Sequence, residues 1–291
     1  MAPSKPNVLF IPIDDLRPQL GCYGRDQMVT PHIDRLASRG TVFTRPYCQV
    51  PVCGATRASL LTGVRPTRTR FVTYSTVADD DLPGALTLPE HFKNHGYTTL
   101  SDGKIFHHIN DAAERSWSSE PWRPPARRHG NWRNYMLEEN IAIAAEREGR
   151  GPAWECSDVA DNAYFDGQIA DRGIEDMRKL AAEDAPWFLA VGFLKPHLPF
   201  NAPRRYWDLY KHDEVNLADN PFRPEGAPDQ AMHNFGELRS YFNVPPEGDL
   251  TDEMSRNLVH GYDAEKRYTD AQVGKMLDEL DKLGLIEKNM V

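Results

Sequence analysis

Two short, continuous apolar runs constrain the fold of this 291-residue chain more than any other feature. Residues 7–13 read NVLFIPI and residues 187–194 read WFLAVGFL, and both are rich in β-branched or aromatic side chains. Apolar runs of this length are typical of strands that are buried on both faces, as in a parallel sheet. Each run ends in charged residues, and the carboxyl ends of parallel strands are where such sheets bind ligands.

Helix signals alternate with these strands. Helices are predicted over residues 31–40, 53–63, 86–96, 161–183 and 251–283, and further strands over 41–44 and 97–101. Several of these helices have Thr or Pro at the start and Gly at the end, as helix termini require. The alternation predicts an α/β fold with a largely parallel central sheet flanked by helices.

Three other segments complete the predicted organisation. Residues 110–155 are predicted to form a long irregular insertion, and a loop rich in Pro, Asp and Asn is predicted to extend to about residue 246. Val291 is predicted to begin a new strand, so we expect a catalytic α/β domain over 1–291 that is incomplete at its C-terminus.

Composition excludes several classes of protein. The chain has 34 Lys and Arg against 43 Asp and Glu, a net charge of −9, which disfavours a nucleic-acid-binding protein. No apolar run approaches the roughly 20 residues that span a bilayer, so no integral membrane segment is expected. Four cysteines are too few for a disulfide-stapled small fold. The first residues contain no apolar segment of signal-peptide length.

Asp14 and Asp15 follow the first predicted strand. Two adjacent carboxylates are costly to desolvate unless a cation neutralises them, and oxygen ligands suit Ca²⁺ or Mg²⁺. A solvated turn is the alternative interpretation of this pair.

Cys53 is predicted to begin a helix, and Arg57 lies one turn further on the same face. A helix N-terminus favours an anion, so a cysteine there is a candidate nucleophile. The alternative is an ordinary packed cysteine.

Cationic pairs follow two of the predicted strands. Lys104 and His107 come after the strand at 97–101, and Lys195 and His197 come after the strand at 187–194. Singly, such residues are usually solvated, but two pairs at strand ends indicate an anion site.

Taken together, these motifs resemble the formylglycine-dependent sulfatases of the alkaline-phosphatase superfamily. The resemblance rests on six ordered blocks: VLFIPIDDLRPQLGCYG, TPHIDRLASRGTVF, the Cys53 motif with RASLLTGVRP, LPEHFKNHGYTTLSDGKIFH, PWFLAVGFLKPHLPF and GYDAEKRYTDAQVGKMLDEL. Within the family, the chain is most similar to the branch that removes 2-O-sulfate from uronic acids of glycosaminoglycans. The implied substrate is therefore a sulfated oligosaccharide.

The resemblance implies a role for each candidate residue. Asp14, Asp15 and modified Cys53 would bind a Ca²⁺-like ion, with Mg²⁺ as the alternative. A formylglycine-generating enzyme would oxidise Cys53 to formylglycine, and Arg57 would hold the modified side chain. Lys104, His107 and His197 would contact the sulfate or the leaving oxygen, with His107 as the candidate acid, and Lys195 would lie on the substrate side.

The implied chemistry explains these residue types. Cationic groups neutralise a sulfate ester that otherwise repels nucleophiles. One hydroxyl of the hydrated aldehyde attacks sulfur, and the second hydroxyl then expels sulfate. The resemblance also implies a periplasmic or secreted protein.

The chain departs from the family pattern in two respects. Ala55 and Thr56 replace the Pro and Ser of the usual Cys-x-Pro-Ser-Arg motif. The family's further metal ligands and a second lysine are expected beyond Val291, so we expect residues 1–291 alone to be inactive.

Three other functions remain open from the sequence. They are a phosphodiester or phosphonate monoester hydrolase of the same superfamily, a non-catalytic sugar-binding protein, and a cysteine hydrolase that uses the Cys53 thiolate. The arginines at 115, 123, 127, 128 and 133 are predicted either to bind a polyanionic sugar or to pair with acidic neighbours.

Overall fold

The computed structural model describes residues 5–125, 132–286 and 289–291. It divides the chain into two compact units. The first contains residues 5–125, 165–195, 269–286 and 289–291, and the second contains residues 132–164 and 196–268.

Strands and helices alternate through the described residues. The strands are β1 (Asn7–Phe10), β2 (Thr98–Gly103), β3 (Trp154–Ser157), β4 (Trp187–Gly192), β5 (Phe200–Pro203) and β6 (Asn289–Met290). The helices are α1 (Pro31–Arg39), α2 (Cys53–Thr62), α3 (Ala78–Asp81), α4 (Leu88–Asn94), α5 (Ala113–Ser116), α6 (Glu138–Glu146), α7 (Phe165–Ala181), α8 (Arg204–Trp207), α9 (Gly236–Arg239) and α10 (Asp252–Lys282).

A parallel sheet forms the centre of the first unit, as the sequence predicts. Its strand order is β2-β4-β1-β6, and every pairing is parallel. Leu189 of β4 lies between Leu9 of β1 and Leu100 of β2 in the register. The short strand β6 pairs with β1 and ends just before the residue at which a strand is predicted to begin.

The central strand β4 is buried along its whole length, and its side chains alternate between two apolar clusters. Leu189 and Val191 pack in one cluster with residues of α7 and α10. Phe188 and Ala190 pack in the other with residues of α2. The sheet is therefore covered by helices on both faces, which explains why the strand reads as a continuous apolar run.

Local sequence signals mark the ends of α2 and α4, two of the helices between β1 and β2. Helix α4 begins at a capping box, in which Thr87 and Glu90 each accept a backbone N–H of the other. Helix α2 begins at Cys53 and ends before Gly63, which has the left-handed conformation that favours glycine.

The structure corrects three predictions from the sequence. Residues 41–44 form no strand; Phe43 is 71% exposed, so this segment buries too little apolar surface to join a sheet. The predicted insertion at 110–155 is not irregular throughout, because it contains α5, α6 and the start of β3. The predicted loop before residue 246 contains β5, which pairs in parallel with β3 in the second unit.

No helix among the described residues combines the length and the apolar character that a membrane span needs.

Candidate functional site

The carboxyl end of β1 presents two acidic side chains in different environments. Asp14 is 4% exposed, and its N–H donates to the carbonyl of Phe193 beyond β4 at 3.1 Å. Asp15 is exposed and has a φ of 56°, a left-handed conformation that Asp tolerates better than most residues. The turn that follows β1 therefore buries the first carboxylate and exposes the second.

Arg57 connects three elements of the first unit. Its guanidinium is buried and donates from Nη2 to Asp14 Oδ1 at 2.9 Å. Nη1 donates to the carbonyl oxygens of Lys104 and, at 2.8 Å, Ile105. Because Arg57 lies one turn after Cys53 on α2, this network fixes the start of α2 against the ends of β1 and β2.

Lys104 provides a second cation for Asp14. Its Nζ forms an ion pair with Asp14 Oδ2, so each oxygen of this carboxylate accepts from a different basic side chain. The preceding Gly103 has a φ of 79°, and a Cβ there would lie 2.2 Å from the carbonyl oxygen of Gly192. Glycine is therefore required at the point where β2 ends and delivers Lys104 to Asp14.

The Cys53 side chain is half-buried at the start of α2. Burial raises the pKa of its thiol, Lys104 opposes this shift, and Asp14 and Asp15 add to it. These electrostatic effects indicate that Cys53 lies near both acidic residues and Lys104. The structure thus brings together Asp14, Asp15, Cys53, Arg57 and Lys104.

The raised pKa predicts slow alkylation of the Cys53 thiol where it is unmodified. The thiolate is the reactive species, and at pH 8 less of the Cys53 thiol is ionised than its ordinary pKa would give. We expect iodoacetamide to label the exposed Cys48 at least about tenfold faster than Cys53, as measured by peptide mass spectrometry. Equal labelling rates at the two residues would contradict this prediction.

Arg123 extends the positive charge around this group, and His107 adds an imidazole ring. Burial lowers the pKa of His107 to about 4, and the nearby Lys104 adds to the effect. The imidazole is therefore neutral at pH 7, and its Nδ1 is buried without a hydrogen-bond partner. Arg123 donates to the carbonyl oxygens of Phe106 at 2.6 Å and His107 at 3.1 Å, which fixes the chain at His107.

Lys195 follows β4 in the first unit, where Asp166 accepts hydrogen bonds from the backbone of Leu194 and Lys195. Asp166 is not among the candidate residues from the sequence. It lies in the first turn of α7, and only an acidic residue at a predicted helix start could have indicated it.

His197 belongs to the second unit. Its Nδ1 lies 2.7 Å from the carbonyl oxygen of Leu198, and its ring meets the Trp132 ring edge-on at 5.3 Å between centroids. Its Nε2 lies 3.8 Å from Glu237 Oε1. These contacts define the surroundings of His197 within its own unit.

The described arginines of the predicted cluster, at 115, 123 and 133, have different partners. Arg115 forms ion pairs with Asp79 and Glu90. This agrees with the prediction that these arginines pair with acidic neighbours. Arg123 donates to backbone carbonyls, and the Arg133 guanidinium lies 4.5 Å from the centroid of the Trp132 ring. The arginines at 127 and 128 lie outside the described residues.

The described side chains near Cys53 include the type of oxygen donor that a hard divalent cation prefers, but too few of them to complete a metal site. Asp14 and Asp15 have carboxylate oxygens, which Ca²⁺ and Mg²⁺ prefer, but each oxygen of Asp14 already accepts from a basic side chain. Within residues 5–125, 132–286 and 289–291, however, no three His, Cys, Asp or Glu side chains converge as a ligand group. These residues therefore supply only part of a metal site.

Comparison with known proteins identifies the family of the chain. A family model described as Sulfatase matches residues 6–291. The chain is 33% identical over 301 residues to iduronate 2-sulfatase of Homo sapiens, which covers 98% of this chain and 53% of that protein. It is 26% identical to the choline-sulfatase of Rhizobium meliloti, over 100% of this chain and 57% of that protein.

The fold also matches solved structures. A phosphonate monoester hydrolase from Silicibacter pomeroyi superposes with a TM-score of 0.70 at 22% identity, over 98% of this chain and 61% of that one. This similarity shows a shared fold. The chain spans little more than half the length of the curated relatives named above.

Proposed function

Because the chain belongs to the sulfatase family, we propose that the protein is a sulfuric ester hydrolase whose nucleophile derives from Cys53. The observation that carries the proposal is the grouping of Asp14, Arg57 and Lys104 beside Cys53 at the start of α2. A sulfate ester needs this kind of site, in which several cationic donors surround a position for a nucleophile.

The proposed substrate is a 2-O-sulfated uronic acid at the end of a glycosaminoglycan fragment. Similarity to a protein named iduronate 2-sulfatase supports this choice. Relatives such as choline-sulfatase act on a different alcohol, so the substrate is a separate claim from the reaction. With a polyanionic sugar as substrate, we place the protein in the periplasm or outside the cell.

Cys53 is proposed to carry the modification that the family implies. A formylglycine-generating enzyme would oxidise Cβ of Cys53 by two electrons, which an external oxidant accepts, so that an aldehyde oxygen replaces Sγ and the sulfur leaves as sulfide. Hydration of that aldehyde would give two hydroxyls, one to attack sulfur and one to release sulfate afterwards. The position of the side chain, half-buried beside Lys104, supports this role because Lys104 offsets part of the cost that burial, Asp14 and Asp15 impose on an anion there.

Lys104 and Arg57 are proposed to balance the negative charge of the ester. Both cations are held through Asp14, which fixes them before substrate arrives, and preorganised charge is the main source of such stabilisation. His107 is the proposed proton donor to the leaving oxygen. Burial and Lys104 lower the pKa of His107, and a bound sulfate ester would raise it, because a nearby negative charge favours the protonated imidazole.

Asp14, Asp15 and modified Cys53 are proposed ligands of the divalent ion, for which we propose Ca²⁺, with Mg²⁺ as the alternative. When bound, this ion would supply further positive charge. Lys195 is proposed to contact the substrate and His197 to contact the sulfate or the leaving oxygen. Lys195 lies within electrostatic reach of the buried Asp166 in the first unit, which supports a fixed position for it.

Side-by-side kinetics test the proposed function. The protein, produced in its own host, is assayed with an aryl sulfate, an aryl phosphodiester and a 2-O-sulfated uronate disaccharide. We expect kcat/KM to be at least about 100-fold higher for the aryl sulfate than for the phosphodiester. Preference for the phosphodiester would favour a phosphodiester or phosphonate hydrolase. Turnover of the aryl sulfate without the disaccharide would refute the substrate alone.

A further inference from the structure

The carboxylate of Asp166 holds two consecutive backbone amides beyond β4. Its Oδ1 accepts the N–H of Leu194 at 2.9 Å, and its Oδ2 accepts the N–H of Lys195 at 2.8 Å. Asp166 itself is 1% exposed. A buried carboxylate that uses both oxygens in this way fixes the orientation of the two peptide groups that it contacts.

Two further sets of hydrogen bonds hold the backbone of Phe193, Leu194 and Lys195. Phe193 donates to the carbonyl of Pro12 at 3.0 Å and accepts from the N–H of Asp14 at 3.1 Å. The hydroxyl of Thr269 donates to the carbonyl of Lys195 at 3.1 Å. The backbone that carries Lys195 is thus connected directly to the backbone that carries Asp14.

We propose that Asp166 is a positioning residue, which fixes the backbone of Leu194 and Lys195 so that the Lys195 side chain keeps a constant position relative to Asp14. The inference rests on the proposed role of Lys195 in substrate binding. The electrostatics agree with the geometry: burial raises the pKa of Asp166 to about 6, Lys195 opposes this shift, and Asp14 adds to it.

Asp166→Asn tests the proposal with little change in side-chain volume. The amide keeps one acceptor oxygen but turns an NH₂ group towards a backbone N–H, so one hydrogen bond is lost. We expect amide hydrogen exchange at residues 194 and 195 to accelerate by about tenfold or more. Asp176→Asn is the matched control, because Asp176 is a buried carboxylate of the same helix that pairs with Arg172 and Lys179 instead.

Kinetics decide whether this positioning matters for function. In the aryl sulfate assay, we expect Asp166→Asn to raise KM about tenfold while kcat changes less than about twofold. In a Lys195→Met background, the same substitution should change KM by less than about twofold, because its effect acts through Lys195. Asp176→Asn should leave KM unchanged.

The possible failures are distinguishable. Unchanged exchange at residues 194 and 195 overturns the positioning role. Faster exchange with unchanged KM, or with an equal effect in the Lys195→Met background, overturns its link to Lys195. A wild-type protein that is produced in its own host and is inactive refutes the proposed function, while the exchange experiment still decides the positioning role. If Asp166→Asn does not fold, Asp166→Glu is used instead, and exchange at residues 194 and 195 is again expected to accelerate, because the longer side chain cannot place both oxygens on the two N–H groups as Asp166 does.

Discussion

Replacing Asp14 by Asn is expected to lower the free energy of unfolding of the 291-residue chain by about 3–5 kcal/mol. Asp14 is buried and forms ion pairs with two cations that are themselves buried, Arg57 and Lys104. Removing the charge of Asp14 leaves both cations without their counter-ion in a site of low dielectric, which costs far more than breaking an exposed ion pair.

Asp15→Asn is the matched control for this prediction. The substitution is identical and adjacent in sequence, Asp15 is exposed, and Asn tolerates its left-handed backbone conformation as well as Asp does. We expect a change of less than about 1 kcal/mol. Urea unfolding followed by circular dichroism measures both variants. Equal effects of the two substitutions would show that Asp14 does not hold the two cations in the way described.

The second large effect is expected from Cys53. If Cys53 supplies the nucleophile, Cys53→Ala should lower kcat for sulfate ester hydrolysis by about 10⁴-fold or more. Cys53→Ser should be equally inactive, because serine cannot provide the second hydroxyl that releases sulfate. Cys48→Ala is the control, since Cys48 is exposed and lies outside the group around Asp14.

Alkylation distinguishes a formylglycine at residue 53 from the remaining alternative, a cysteine hydrolase that uses the Cys53 thiolate. A cysteine hydrolase would lose its activity when iodoacetamide alkylates the Cys53 thiol, whereas an aldehyde at this position does not react in that way. We expect the protein from its own host to keep its sulfatase activity after this treatment. Loss of activity that parallels alkylation of Cys53 would favour the thiolate mechanism.

Much of the first unit could be predicted from the sequence because its signals are local. The apolar runs at β1 and β4 and the terminal Thr and Gly residues of α4 and α2 each determine one element without help from distant residues. Strands β3 and β5 escaped prediction because they are short and lie among prolines and polar residues. Residues 41–44 look like a strand, but that pattern cannot show whether a partner strand is present.

The candidate site was predictable in part for the same reason. Strand ends and a helix start indicated Asp14, Cys53 and Lys104, since parallel topology brings such termini to one edge of a sheet. The double ion pair of Asp14 and the amide contacts of Asp166 were not predictable. The partners of Asp166 are backbone N–H groups 28 and 29 residues away, and every residue except proline has such a group.

Mass spectrometry of the peptide that contains Cys53 tests the central claim most directly. The protein is isolated from its own host and digested without alkylation. We expect an aldehyde, together with its hydrate, in place of the thiol, even though Ala55 and Thr56 follow in positions where the family usually has Pro and Ser. A peptide that carries only the intact Cys53 thiol would show that the nucleophile does not derive from Cys53 in the proposed way.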